Sequence, residues 1–211
     1  KAIKAYRPSS NSLSSGQVLH CPYDFDKGRL IVREMTELLV LDLVRKRLVT
    51  KQIVLNIGYD RESLTGDRAQ KYTGPVAMDH YGRKVPKHAH GTGNIDHYTS
   101  STHAIMETVL ELYDRVVHKD LLIRRVNIAA CNLICEDDIP EDKPLQLDMF
   151  TDYEAVDREK KAQQAAEEKE RKLQRVTLAV QDRFGKNAML KGMNLVEGGT
   201  TIERNGQIGG H

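Results

Sequence analysis

Two hydrophobic periods alternate along the chain up to Leu133, and their order constrains the fold more than any other feature. Segments with apolar residues at every second position indicate half-buried strands, and segments with apolar residues at every third or fourth position indicate amphipathic helices. The order is strand, helix, strand, strand, helix, strand. Two helices must then cover the apolar face of an antiparallel or mixed sheet, which leaves the other face polar and open to a partner.

The two helices are marked by apolar stripes and by capping residues. The first is predicted within Lys27 to Val49, after an N-cap at Asp24 or Asp26, and the second is predicted to follow a Ser/Thr cap in YTSSTH. The stripes are Ile31, Met35, Leu38, Leu39 and Leu43 in the first helix, and Ile105, Met106, Val109, Leu110, Tyr113, Val116 and Val117 in the second.

The strands are predicted from alternation. GQVLH is compatible with a first strand, KQIVLNIGY with a second, and the stretch from Val76 to Ile95 with one or two more. In LLIRRVNIAACNL, Val126, Ile128 and Ala130 share one face. The opposite face of that strand is predicted to carry Arg125, Asn127, Ala129 and Cys131, as the opposite face of the second strand carries Gln52, Asn56 and Gly58.

The predicted fold class is α+β: a four-stranded, mostly antiparallel sheet with two helices on one face (β-α-β-β-α-β), followed by a linker and a charged helical tail. We expect a domain at 1–135, an acidic linker at 136–153 and a tail at 154–211. Asp157 to Val180 is rich in helix formers but has a thin apolar stripe, so this helix is expected to dock loosely, or on another copy or a partner. The Gly-rich stretch after Gly185 is expected to order only on a partner.

Composition excludes several protein classes. The chain is 39% hydrophobic and 29% charged, and it has no apolar run near the ~20 residues that a membrane span requires. Three cysteines without disulfide-type spacing favour a reducing, cytoplasmic compartment. The sequence begins at Lys1 rather than at methionine, which indicates a segment of a longer protein.

No catalytic motif is recognised. The histidines and cysteines lack the paired spacings of structural zinc sites, and the stretch Gly91 to Asn94 is not a phosphate-binding loop because no Lys-Ser/Thr pair follows it. We interpret GTGN as a strand segment kept small so that another backbone can approach. The histidines in question are His80, His88, His90, His97 and His103.

Basic residues concentrate on or beside the predicted strands, whereas acidic residues concentrate in the linker and tail. The net charge of only +2 can therefore conceal a positive sheet face, which is typical of proteins that bind nucleic-acid backbones. The alternative is that these are scattered solubilising charges. The set is Lys71, Arg83, Lys84, Lys87, Arg124 and Arg125.

The segment PLQLDMF (144–150) places apolar anchors directly after an acidic stretch. Clustered exposed anchors of this kind usually fill the pocket of a partner. The alternative is that Leu147 and Phe150 fasten the linker to the domain.

The order of elements and several motifs resemble the C-terminal part of a Y-family, translesion DNA polymerase, from its DNA-gripping little-finger domain onward. NSLSSGQVL resembles the run that opens this domain, IRRVNIAACNL resembles its last strand, and PLQLDMF resembles the eubacterial sliding-clamp-binding motif. RFGKNAMLKGMNL and RNGQIGGH resemble the tail of the polymerase IV/V-like branch of Gram-positive bacteria.

This resemblance implies that the intact protein is a DNA-directed DNA polymerase that copies damaged templates. Its palm, with magnesium ions for nucleotidyl transfer, would precede Lys1, and this segment would be inactive and need no cofactor. The expected partners are primer-template DNA, a sliding clamp and further repair proteins through the tail. The expected DNA contacts are Ser12, Ser14, Ser15, Arg83, Lys84, Lys87, Gly91, Thr92, Gly93, Asn94, Arg124 and Arg125; the expected clamp contacts are Gln146, Leu147, Asp148, Met149 and Phe150.

Two functions from other classes remain open at this stage. One is a stand-alone αβ interaction module whose helical tail binds a partner helix. The other is a small metal-dependent enzyme that uses the histidine set.

Overall fold

A computed structural model describes residues 11–140 and 153–207. The domain contains the strands β1 (Leu13–Tyr23), β2 (Leu48–Tyr59), β3 (Val76–Met78), β4 (Lys84–Pro86), β5 (Ala89–Thr99), β6 (Ile123–Cys131) and β7 (Ile134–Cys135). Its helices are α1 (Phe25–Arg45), the short α2 (Gly66–Lys71), α3 (Thr102–Val116), the long α4 (Tyr153–Phe184) and the short α5 (Thr201–Asn205). The predicted α+β class, with two main helices against an antiparallel sheet, is confirmed.

The helices begin where the capping chemistry predicts. The Asp24 carboxylate accepts a 2.9 Å hydrogen bond from the backbone N–H of Lys27, which caps α1. The Ser101 hydroxyl accepts from Ala104 N at 3.3 Å and caps α3. α1 ends earlier than predicted, because Arg47 adopts a left-handed turn at φ 55° and β2 already begins at Leu48.

The main sheet has the order β1-β6-β2-β5, and every pair is antiparallel. β7 extends it by pairing with the start of β2, whereas β3 and β4 form a separate hairpin. α1 packs over β1 and β6, α3 packs over β5 and β2, and the two helices touch each other. One face of the sheet is therefore covered, and among residues 11–140 and 153–207 these helices leave the other face open.

The core lies between the sheet and the two helices. Alternate residues of the central strands are fully buried there, as the period-two pattern predicts. The buried set includes Ile53, Leu55 and Ile57 of β2, Val126 and Ile128 of β6, Ile31, Met35 and Leu43 of α1, and Ile105 and Val109 of α3.

α4 packs on the domain through polar contacts near the end of β5. The carboxylate of Glu167 accepts from Thr99 Oγ1 at 3.1 Å and lies 2.8 Å from His97 Nε2. Gln174 Nε2 donates to the backbone carbonyl of Ser100 at 3.0 Å, and Ser101 Oγ donates to Glu170 at 2.6 Å. The helix is longer than the predicted Asp157 to Val180, and it lies on its own domain.

The segment after Gly185 also folds onto the domain, so the prediction that it orders only on a partner is wrong. Its anchor is Glu34 of α1, which is 2% exposed and accepts hydrogen bonds from Asn194 Nδ2 at 3.0 Å and from Thr200 N at 2.8 Å. Arg204 of α5 donates to Ser15 Oγ of β1 at 2.8 Å. Among the helices of residues 11–140 and 153–207, none has the length and apolar character that crossing a membrane requires.

Candidate nucleic-acid interface

The open face of the sheet is built from short rows of small and polar side chains that run across the strands. Residues directly opposite each other in an antiparallel pair point to the same face, so the register defines the rows. From the middle of the sheet outward, these rows are Gly16, Asn127, Asn56 and His90; Ser14, Ala129, Val54 and Thr92; Cys131, Gln52 and Asn94; and Val18, Arg125 and Gly58.

Hydrogen bonds between neighbouring strands orient the amide side chains of this face. His90 Nδ1 lies 2.6 Å from Asn56 Oδ1, and Gln52 Nε2 donates to Asn94 Oδ1 at 3.0 Å. Gln52 uses both groups, because its Oε1 also accepts from Asn132 Nδ2 at 3.3 Å, whereas Asn56 and Asn94 use their oxygens and keep their NH₂ groups. Gly16 leaves room for Asn127, because a Cβ on Gly16 would lie 3.1 Å from Asn127 Nδ2. The face can therefore offer several polar donors at once.

Arg125 is the cation of this face. It pairs with Gly58 on one side and with Val18 on the other, and its side chain is exposed. None of the residues in the four rows is acidic. Because no carboxylate neutralises it within these rows, the four rows carry a positive charge among neutral donors, which suits a phosphate backbone.

Arg124 does not share that face, which corrects the expected basic pair. A register shift places Ile123 opposite Tyr59 and Arg125 opposite Gly58, so Arg124 is the extra residue of a bulge. Its Nη1 donates to the backbone carbonyl of His20 at 2.8 Å, and its Nε lies 3.7 Å from Asp60. Arg124 thus joins the ends of two strands, a role for which sequence alternation gives no signal.

The glycines of GTGN are positions of close approach, as predicted, but the atoms that approach them are side chains of α3 rather than another backbone. A Cβ on Gly91 would lie 2.6 Å from Leu112 Cδ1, and one on Gly93 would lie 2.6 Å from Thr108 Cγ2. These glycines are small because a helix packs on them. The residues between and after them, Thr92 and Asn94, do lie on the open face.

The three predicted serine contacts are divided between surfaces. Ser14 lies in a row of the open face, and Ser12 is exposed just before β1. Ser15 points to the covered side, where its hydroxyl accepts from Arg204. Ser15 is therefore a structural contact in this fold.

The remaining basic candidates lie on or after the β3–β4 hairpin, away from the rows. Arg83 and Lys84 are exposed there, and Lys87 is exposed just before β5. Arg83 is paired with Asp79, whose Oδ2 lies 2.6 Å from Arg83 Nη2. The structure thus places basic side chains in two separate positions.

Two further predictions concern other sites. The candidate clamp contacts Gln146, Leu147, Asp148, Met149 and Phe150 lie outside the described residues. Among residues 11–140 and 153–207, no group of three or more histidine, cysteine, aspartate or glutamate side chains could hold a metal ion.

Comparison with known families decides what kind of domain this is. The model of the impB/mucB/samB family C-terminal domain matches residues 10–149 of the 211 residues. The chain belongs to this family. The family is the little-finger region of Y-family DNA polymerases, as the resemblance implied. The match includes the whole sheet with its two covering helices and ends before α4.

This little-finger domain is similar to a solved structure described as a complex of the beta-clamp processivity factor and the little finger domain of PolIV. The identity is 8%, the match covers 67% of this chain and 100% of that chain, and the TM-score is 0.37. The family assignment does not depend on this weak likeness. A search of curated proteins gave no match.

Sequence reasoning named Asn94 as a site residue but did not name the other amides of the little-finger face. Asn127 lies an even number of residues from Arg125 on β6. Asn56 and Gln52 lie an even number of residues from Gly58, which is opposite Arg125 on β2, so all three share the face of Arg125. That alternation was visible in the sequence. What was missing was the register that places them side by side.

Proposed function

We propose that this chain is the DNA-binding and clamp-docking region of a translesion DNA polymerase. The observation that carries the DNA-binding part is the open sheet face, on which Arg125 stands among Asn, Gln, Ser and Thr side chains with no acidic residue in the same rows. Family membership supports the same assignment. In the intact protein, DNA-directed polymerisation on damaged templates would take place in the palm with its magnesium ions.

The chemistry of this face favours contacts to phosphate and sugar. Amide, hydroxyl and guanidinium donors bind phosphate oxygens without reading the base, so the expected binding is independent of sequence. A polymerase that moves along its template needs this property. A single cation releases few counterions, so affinity should be weak and should fall as salt rises.

The second part of the proposal is docking on a bacterial sliding clamp through PLQLDMF. Gln146 would offer its amide to backbone groups of a pocket, while Leu147 and Phe150 would fill neighbouring apolar recesses. Met149 is flexible and polarisable, and it would adapt to the remaining gap. A short peptide loses conformational entropy when it binds, so affinity in the micromolar range, about −7 to −9 kcal/mol, is expected.

The deciding experiment for DNA binding is a salt titration of the whole chain with a labelled primer-template, followed by fluorescence anisotropy. Arg125→Ala should weaken binding to every DNA sequence, and it should reduce the slope of log K against log salt by about one. The matched control is Arg33→Ala, because Arg33 is an exposed arginine on α1, in the layer behind the sheet.

Two outcomes separate the proposal from a general charge effect. Equal losses in Arg125→Ala and Arg33→Ala would mean that net charge, and not the open face, attracts DNA. Unchanged affinity and an unchanged salt slope in Arg125→Ala would mean that the open face does not bind DNA. A combined Asn56→Ala and Asn127→Ala variant should lower affinity without a comparable change in slope, because neutral donors release no counterions.

A further inference from the structure

The β3–β4 hairpin has a turn that is held in one conformation by its own side chains. The Asp79 carboxylate accepts from the backbone N–H groups of Tyr81 and Arg83, each at 2.9 Å. Gly82 takes a left-handed conformation at φ 72°, which a residue with a side chain rarely adopts. The direction in which Tyr81 leaves the hairpin is therefore fixed by local chemistry.

The tip of the hairpin presents aromatic and apolar surface to solvent. Tyr81 is 78% exposed and Met78 is 64% exposed, so neither side chain serves the core. The guanidinium carbon of Arg83 lies 4.9 Å from the centre of the Tyr81 ring, and the His80 ring meets that ring edge-on at 5.5 Å. The ring is thus positioned by neighbours and remains largely uncovered.

Within the hairpin segment itself, basic residues outnumber acidic ones. Arg83, Lys84 and Lys87 are exposed within twelve residues of Val76, whereas Asp79 is the acidic residue of the stretch from Val76 to His88. Asp79 is already paired, because Arg83 Nε donates to its Oδ2 at 2.7 Å. This hydrogen bond lowers the pKa of Asp79 and keeps the carboxylate charged in its pair. Lys84, which lies opposite Met78 in the hairpin, and Lys87, which follows the hairpin, remain as further exposed cations.

An exposed aromatic ring with cations beside it fits one class of ligand best. Unpaired bases stack on such rings while the cations contact the flanking phosphates, and stacking does not depend on base identity. Bases within a duplex are already stacked on each other and offer no free ring face. The combination therefore favours single-stranded over double-stranded nucleic acid.

We infer that the β3–β4 hairpin is a second nucleic-acid contact, at which Tyr81 stacks on an unpaired base of the DNA that the open sheet face holds. This inference rests on the proposed function. It adds the part of the primer-template that is contacted, the unpaired strand next to the duplex, and a contact residue, Tyr81, outside the sheet. Lys84 and Lys87 contact the phosphates on either side of that base.

The test uses the whole chain and three DNA probes: a blunt duplex, the same duplex with a single-stranded overhang, and that overhang with abasic sites. Tyr81→Ala should lower affinity for the natural overhang about tenfold, while Tyr81→Trp should preserve it. Tyr81→Leu keeps apolar bulk without a flat ring and should behave like Tyr81→Ala. All three variants should bind the blunt duplex like the wild type.

The abasic overhang supplies the outcome that a merely structural role could not produce. If Tyr81 stacks on a base, the wild type should lose its preference for the overhang when the bases are removed, and Tyr81→Ala should show no further loss. A 2-aminopurine in the natural overhang should be quenched by the wild type and by Tyr81→Trp, but not by Tyr81→Ala.

The two proposals fail in different ways. Equal wild-type affinity for natural and abasic overhangs, with Arg125→Ala still impaired, would overturn the hairpin contact and leave the sheet face standing. An unimpaired Arg125→Ala variant would overturn the sheet face itself. Loss of blunt-duplex binding in Tyr81→Ala would also overturn the stacking assignment, because a duplex has no unpaired base to offer.

Discussion

The side-chain amide of Asn194 donates a 3.0 Å hydrogen bond to Oε1 of Glu34, and this bond joins the segment after α4 to α1. Thr200 N donates to the other carboxylate oxygen at 2.8 Å. Glu34→Ala would leave Thr200 N without this acceptor and would leave the buried Asn194 Nδ2 with only its 3.2 Å bond to Thr201 Oγ1, so we expect a loss of about 2 kcal/mol in the free energy of unfolding. Urea denaturation measures that loss, and limited proteolysis should find new cleavage between Gly185 and Gln207.

The matched control for this prediction is Glu197→Ala. Glu197 pairs with Lys27 at 3.0 Å, but its side chain is 90% exposed, so the pair should contribute little. Equal effects of the two substitutions would mean that burial of Glu34 has no special importance.

The docking of α4 should depend on pH through His97. Burial alone would lower the pKa of His97, but hydrogen bonds with Asp96 and Glu167 outweigh it and raise the pKa above its usual value. A histidine whose pKa is higher in the folded state stabilises that state fully below its unfolded pKa of about 6.5, and this stabilisation is lost as pH rises through the folded pKa. Protection of α4 in hydrogen exchange should therefore decrease as pH rises through this range, after correction for the intrinsic exchange rate.

His97→Gln should remove most of that pH dependence, whereas His103→Gln should keep it. His103 is exposed, and its Nδ1 lies 4.0 Å from Glu107 within the same helix, so it does not touch α4 through that pair. An identical pH profile in wild type and His97→Gln would assign the effect to another group.

Gly91→Ala should destabilise the domain by roughly 1 to 3 kcal/mol, because the new methyl group would overlap Leu112 and Val116 in a well-packed layer. Thr92→Ala on the same strand is the control. Its side chain lies on the open face, so its melting temperature should stay close to that of the wild type. A neutral Gly91→Ala would show that α3 can move away from β5 at little cost.

Combined Gln146→Ala, Leu147→Ala and Phe150→Ala substitutions should abolish binding to a bacterial sliding clamp in calorimetry and leave the melting temperature nearly unchanged. The reason is that these side chains are proposed to serve the pocket of a partner. If the segment fastens the linker to the domain instead, the same variant should lose several kcal/mol of stability, and the wild type should not bind clamp at high micromolar concentration.

A truncation after Pro140 tests whether the first part of the chain is an independent domain. We expect a cooperative thermal transition with a lower midpoint, because the main core lies between the sheet, α1 and α3, while α4 adds chiefly polar contacts and Leu178. Circular dichroism measures both features. A truncated chain without a cooperative transition would make α4 an essential part of the domain.

The sheet and its two helices could be predicted from the sequence because their signal is local. Ile53, Leu55 and Ile57 alternate within one strand, and Asp24 and Ser101 cap helices at the expected positions. These patterns depend on neighbouring residues only, so a single chain displays them without any knowledge of its partners in space.

The contacts of the tail could not be predicted for the opposite reason. Glu34 and Asn194 are a pair of polar residues far apart in the sequence, and a polar pair produces no hydrophobic period. The bulge at Arg124 was also invisible, because alternation assigns faces only where the register is regular. The glycines of β5 were correctly recognised as close-approach positions, but the sequence could not say that α3 was the neighbour.

The bond between Arg204 and Ser15 has a consequence for the order in which the molecule assembles. It joins residues that are 189 positions apart, whereas the Asp24 cap of α1 joins residues that are three positions apart. Contacts that close long loops carry the larger entropic cost and tend to form late. The sheet can pair before the tail reaches β1, so refolding should pass through a species with a formed core, and only the final step should complete the covering of α1.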